Sequence, residues 1–105
     1  MIRLTAIEAA AALENVATEF VTLLQQGSMK VEWYKPHNVD SQTPHRQDEI
    51  YVIASGSGTF YNNGERTPFG TGDVLFVKTG YEHRFENFTD DFATWVIFYG
   101  PDGGE

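Results

Sequence analysis

A chain of 105 residues has room for one hydrophobic core and no second domain. Apolar residues make up 41% and aromatics 14%, which excludes a disordered chain, and no apolar run approaches the roughly 18 residues of a membrane span. Seven Lys and Arg against 15 Asp and Glu give a net charge of −8, so neither nucleic acid nor an anionic membrane is an expected partner.

Thr5 followed three residues later by Glu8 is a capping-box pattern, and it leads into an Ala-rich stretch to Glu14. A short N-terminal helix is expected within residues 1–19. From Phe20 the pattern becomes β. Phe20 to Leu24 precedes a turn at Gln26-Gly27-Ser28, and Met29 to Tyr34 alternates until Pro36, which cannot donate to a ladder. Ile50 to Ala54 reads as the next strand. Gly58 to Tyr61 and Arg66 to Phe69 read as a hairpin about Asn63-Gly64, a dipeptide suited to a turn with two positive φ angles. Val74 to Val77, Glu82 to Phe85 and Ala93 to Tyr99 follow, Gly100-Pro101 closes the barrel region 20–101, and residues 102–105 read as a frayed, flexible tail. Many short strands with glycine-rich turns imply an all-β sandwich or barrel.

Chemistry concentrates in two segments. Pro44-His45-Arg46-Gln47-Asp48-Glu49 runs into the third strand and ends on Gly56, while Gly72 begins a strand that leads through Gly80 to His83 and Asn87. Two imidazoles and a carboxylate suit a divalent metal with open positions, provided that the fold brings them together. There is no cysteine, so disulfides, thiolate ligands and cysteine nucleophiles are excluded. Outside these segments His37 is expected to be exposed. Asp48, Asp73 and Asn87 are read as residues that bond to nearby backbone, and Lys78 as a solvated strand end.

The two segments resemble the paired motifs of the cupins. In that family the first motif is Gly, five residues, His-x-His, three or four residues, Glu, six residues, Gly. The second is Gly, five residues, Pro-x-Gly-x-x-His, three residues, Asn. Here Glu49 is followed by six residues and Gly56, His45 stands four before Glu49, and Gly72, Gly80, His83 and Asn87 fall on the second motif at every spacing. Thr43 stands where the first His of the family would be, and Lys78 replaces the Pro. The resemblance implies a double-stranded β-helix, the cupin jelly-roll barrel, and a metal held by His45, Glu49 and His83. Thr43, through a bound water, or Gln47 is the alternative source of a further ligand.

Alternation then assigns faces. If Glu49 points inward, Tyr51 and Ile53 follow it, and His83 inward implies Phe85 inward with Glu82, Arg84 and Glu86 outward. Tyr51, Ile53 and Phe85 are therefore expected to wall a small dry pocket beside the metal. The last strand is apolar on both faces, which leaves its inner side unassigned. The resemblance implies a metalloenzyme of the dioxygenase, isomerase or epimerase, or lyase type, using iron, manganese, zinc or nickel on a small-molecule substrate. A non-catalytic binding or sensing module is the alternative, and a metal-free structural barrel ranks last. Tyr51 is the nearest general-base candidate. The first residues lack a basic start followed by an apolar block, so a cytoplasmic location is expected. A homodimer is expected too, since Trp33 and Tyr34 need cover from a second copy or from the N-terminal helix.

Overall fold

Thr5 Oγ1 accepts the Glu8 N–H at 3.1 Å and so satisfies one of the free donors at the start of helix α1 (Ala6–Glu14). This observation comes from a computed structural model, which describes residues 2–105. The small side chain of Ala9 lets the helix lie close against Trp33, and Leu13 joins the same cluster. Trp33 and Trp95 meet edge to face there, with ring centroids 4.9 Å apart. The helix thus covers Trp33, while Tyr34 packs on the opposite side against the barrel core.

Eight strands follow: β1 (Phe20–Gln26), β2 (Met29–Tyr34), β3 (Asp48–Ser55), β4 (Ser57–Asn62), β5 (Glu65–Gly70), β6 (Val74–Val77), β7 (His83–Glu86) and β8 (Ala93–Tyr99). They form a five-stranded sheet in the order β1-β2-β8-β3-β6 and a three-stranded sheet in the order β5-β4-β7, antiparallel throughout. This is the jelly-roll architecture, all β but for the short helix. At the β4–β5 turn Asn63 has φ 50° and Gly64 φ 93°, the pair of positive angles that the dipeptide announced. Pro68 lies on β5, an edge strand, where its missing N–H interrupts no ladder. No helix among the described residues is long and apolar enough to cross a membrane.

Aromatic rings fill the space between the sheets. Phe85 sits at the centre, its ring 4.8 Å from Tyr51, 4.9 Å from Phe60, 5.2 Å from Phe69 and 4.6 Å from Phe92. On β8, Val96 and Phe98 join this core while Trp95 faces the helix, which settles the strand's inner side. On β7 the alternation holds: His83 and Phe85 are buried, and Arg84 lies outside, bridging Glu82 at 3.0 Å and Glu86 at 2.8 Å.

The C-terminal tail, expected to be frayed, makes two backbone contacts to the stretch before β3 and to its first residue. The Gly103 N–H donates to the Arg46 carbonyl at 2.7 Å and the Glu105 N–H to Asp48 Oδ2 at 3.1 Å. Asp48 sits where the tail folds back, and its carboxylate captures a backbone donor that would otherwise face water.

Candidate metal centre

Strand geometry brings the chemistry to one end of the barrel. Glu49 is the second residue of β3, directly opposite Phe98 of β8 on one side and Val77 of β6 on the other. A β strand alternates faces, so Glu49 enters the interior, where it is 0% exposed. His83 opens β7 in the facing sheet. His45 arrives from the stretch between β2 and β3, its ring edge-on to Phe98 with centroids 4.9 Å apart. One ligand atom from each of His45, Glu49 and His83 lies within 4.8 Å of the others. Convergence, the condition that spacing alone could not meet, is present.

The details favour a cation. His83 Nε2 lies 2.8 Å from Glu49 Oε1 and His45 Nε2 lies 3.8 Å from it. Both Glu49 oxygens are buried and face these two imidazoles. A buried carboxylate is costly unless a positive charge, a protonated imidazole or a metal ion, offsets it. The other ring nitrogen of His83, Nδ1, lies 2.8 Å from the Tyr81 carbonyl, the kind of contact that orients an imidazole and presents Nε2 to a metal. The residues present therefore fit a divalent ion.

The imidazoles are pulled in opposite directions. Burial works against a charge on His83, but contact with Glu49, its negative charge and the Tyr81 carbonyl outweigh that and raise its pKa above 6.5. Burial lowers that of His45, with Glu49 opposing and His83 reinforcing the shift. Tyr51 is driven well above 10 by burial and by the Glu49 charge, so its phenol stays a donor and is a poor general base.

A cavity of about 520 Å³ adjoins this cluster and meets it at His45. The cavity is lined by residues 17–20, by Lys30, Glu32 and Tyr34 of β2, by Val96 and Phe98 of β8, and by Gln42, Thr43 and His45 from the intervening stretch. Tyr51, Ile53 and Phe85, expected as the wall, lie instead in the packed core. The face was read correctly, but not the depth. Ile53 is four residues beyond Glu49, about 13 Å further along the strand, in the filled end of the barrel. Tyr51 alone stays in touch with the site, its hydroxyl donating to Gln42 Oε1 at 2.9 Å.

Other candidates separate cleanly. Gln47 donates to the Ser28 and Gly100 carbonyls, both at 2.8 Å, and is occupied there. Thr43 is exposed at the cavity rim. His37 is exposed, with Nδ1 3.1 Å from Glu19, and Lys78 is exposed as well. Asp73 accepts the nearby Gly70 N–H at 2.8 Å, as a turn residue should. Asp48 reaches further, accepting the Thr79 N–H at 2.9 Å across the barrel end. Two residues escaped sequence reasoning. Gln42 places Oε1 3.3 Å from His45 Nε2 and 3.2 Å from His83 Nε2, and Asp40 holds Gln42 in turn. The one available signal was that Gln42 adjoins Thr43, where the expected imidazole is missing.

Comparison with known proteins agrees with the fold. The model of a family described as "Cupin domain" matches residues 30–99. An uncharacterized protein of Streptomyces coelicolor is 32% identical over 102 residues, 95% of either chain. The oxalate-binding protein of Thermotoga maritima is 46% identical over 39 residues, which are 37% of this chain and 32% of that one. Among solved structures, a cupin-2 domain containing protein from Shewanella frigidimarina superposes with a TM-score of 0.67 at 12% identity, covering 90% of this chain and 92% of that one.

Proposed function

The chain belongs to the cupin family, and from that premise we propose that its barrel holds a divalent transition metal on His45, Glu49 and His83 and acts on a small organic molecule in the adjoining cavity. The observation that carries this reading is the convergence of the fully buried Glu49 carboxylate with two imidazoles, one ligand atom of each within 4.8 Å of the others. A metal bound there supplies Lewis-acid polarisation of a carbonyl or carboxylate oxygen. The chain's own residues do the rest. Val96 and Phe98 make one side of the cavity apolar, while Lys30 and Glu32, paired at 3.5 Å, offer it one polar cluster. Tyr51 and Tyr34 stay protonated, since burial raises both phenols, Tyr34 with help from its hydrogen bond to Asp40.

A second reading is binding without turnover, with a small dicarboxylate as the ligand. The partial likeness to an oxalate-binding protein supports it. So does Tyr51, the candidate base, which is held in its donor form.

Elemental analysis of protein purified without tag or chelator, beside His83→Ala, tests the metal. About one ion per chain in the parent and none in the variant is expected. No metal in the parent, even after reconstitution, would overturn the reading. With metal loaded, a metal-dependent product in a screen of small organic acids and sugars selects the enzyme. A rise in melting temperature with oxalate and no product selects the binder.

A further inference from the structure

Gln42 is the residue at the centre of the site that the family motif does not provide for. We infer that its side-chain oxygen is a fourth metal ligand, filling the vertex left open where Thr43 replaces an imidazole. The inference rests on the metal-binding reading above and names one more donor in the same site.

Distances carry it. A metal with ligand bonds of about 2.1 Å sets neighbouring donors about 3.0 Å apart at right angles and about 3.4 Å apart at tetrahedral angles. Gln42 Oε1 stands 3.3 Å from His45 Nε2 and 3.2 Å from His83 Nε2, and His83 Nε2 stands 2.8 Å from Glu49 Oε1. These three separations match the edges of a coordination polyhedron with Gln42 Oε1 at one corner, and His45 Nε2, 3.8 Å from Glu49 Oε1, would close by a few tenths of an ångström on an ion.

The amide's orientation is fixed by chemistry. Gln42 Nε2 donates to Asp40 Oδ2 at 2.6 Å, and a carboxylate accepts only from the NH₂ end, so Oε1 must turn toward the imidazoles. Asp40 is itself immobilised. It is buried and accepts the Tyr34 hydroxyl at 2.6 Å, the Gln42 N–H at 3.2 Å and the Phe85 N–H at 2.8 Å. A carbonyl oxygen has two lone pairs. The Tyr51 hydroxyl engages one at 2.9 Å, and the other remains for an ion. Two oxygens and two imidazoles make a harder donor set than three imidazoles and one carboxylate, which suits Mn²⁺.

Chelator-stripped parent, Gln42→Met and His83→Ala would be titrated with Mn²⁺, with the free ion read by electron paramagnetic resonance. The parent should bind one ion, Gln42→Met should bind at least about tenfold more weakly, and His83→Ala should not bind. Because the substitution also removes the bond to Asp40, ¹⁵N-labelled parent gives an independent readout. Loading it with Zn²⁺ should shift the Gln42 side-chain amide signals. Parent-like Mn²⁺ affinity in Gln42→Met, or an amide that Zn²⁺ leaves unmoved, would overturn the inference and leave the triad standing. Failure of the parent to bind either ion would overturn the metal reading itself.

Discussion

The Asp48 carboxylate accepts the Thr79 N–H at 2.9 Å, and this one contact ties the start of β3 to the turn that leads into His83. Thr79 completes the tie from its side, its hydroxyl donating to the His45 carbonyl at 3.0 Å. The two cupin motifs are thus locked together one residue away from Glu49. The Thr79 and Glu105 N–H groups hold the Asp48 carboxyl below its ordinary value of 3.8. A lowered carboxyl pKa adds stability that is present above the unfolded value and disappears as pH falls through the folded one. Asp48→Asn should therefore lower the melting temperature by several degrees at pH 7, with the gap to the parent closing in strong acid. A gap that stays constant from pH 7 down to pH 2 would show that its origin is not the charge.

Metal removal should be visible in stability. An ion at one hundred times its dissociation constant adds about 2.7 kcal/mol, equivalent to a melting temperature roughly 10–20 °C higher for a domain of this size. Glu49→Gln keeps the shape of the side chain but not its charge, and should flatten that response. A full response in the variant would remove the carboxylate from the ligand set.

Phe85 and Ile53 should behave as core and not as pocket. Phe85→Leu leaves a gap among four rings and should cost roughly 1–2 kcal/mol, while Ile53→Val should cost about 0.5–1.5 kcal/mol. Denaturant unfolding measures both, and metal content should match the parent. Loss of metal in Ile53→Val would place that residue at the site after all.

How much of this was legible follows from what each residue's position depends on. The Asn63-Gly64 hairpin, the strand alternation and the inward turn of Glu49 and His83 are local, set by φ preferences and a period of two, and the sequence states them directly. Depth along the barrel is not local. Tyr51 and Ile53 share the Glu49 face, but which end of the barrel is hollow depends on Phe60, Phe69, Phe85 and Phe92 filling the other end. Gln42 was hidden for a related reason. Residues 35–47 form neither helix nor strand, and their path is set by the bond from the Phe85 N–H to Asp40, a partner 45 positions away.

Two glycines separate strain from collision. Gly64 has open space around a would-be Cβ, so Gly64→Ala meets only its left-handed backbone, about 1–2 kcal/mol. Gly56, with φ +85°, would place a Cβ 2.6 Å from the Phe92 Cα and 2.8 Å from its N, and backbone cannot give way as a side chain can. Gly56→Ala should cost roughly 4 kcal/mol or more. Equal losses on urea unfolding would contradict the distinction.

Asp40, Gln42, Thr43 and His45 all belong to the irregular stretch between β2 and β3, while Glu49 and His83 are anchored in the two sheets. Chemistry and scaffold are therefore separable parts. Transplanting residues 35–47 into another barrel of this kind would carry along the His45 imidazole, the central amide with its carboxylate brace, and part of the cavity lining, without disturbing a single strand pairing. Through such an exchange a cupin can acquire a different donor set while its barrel stays the same.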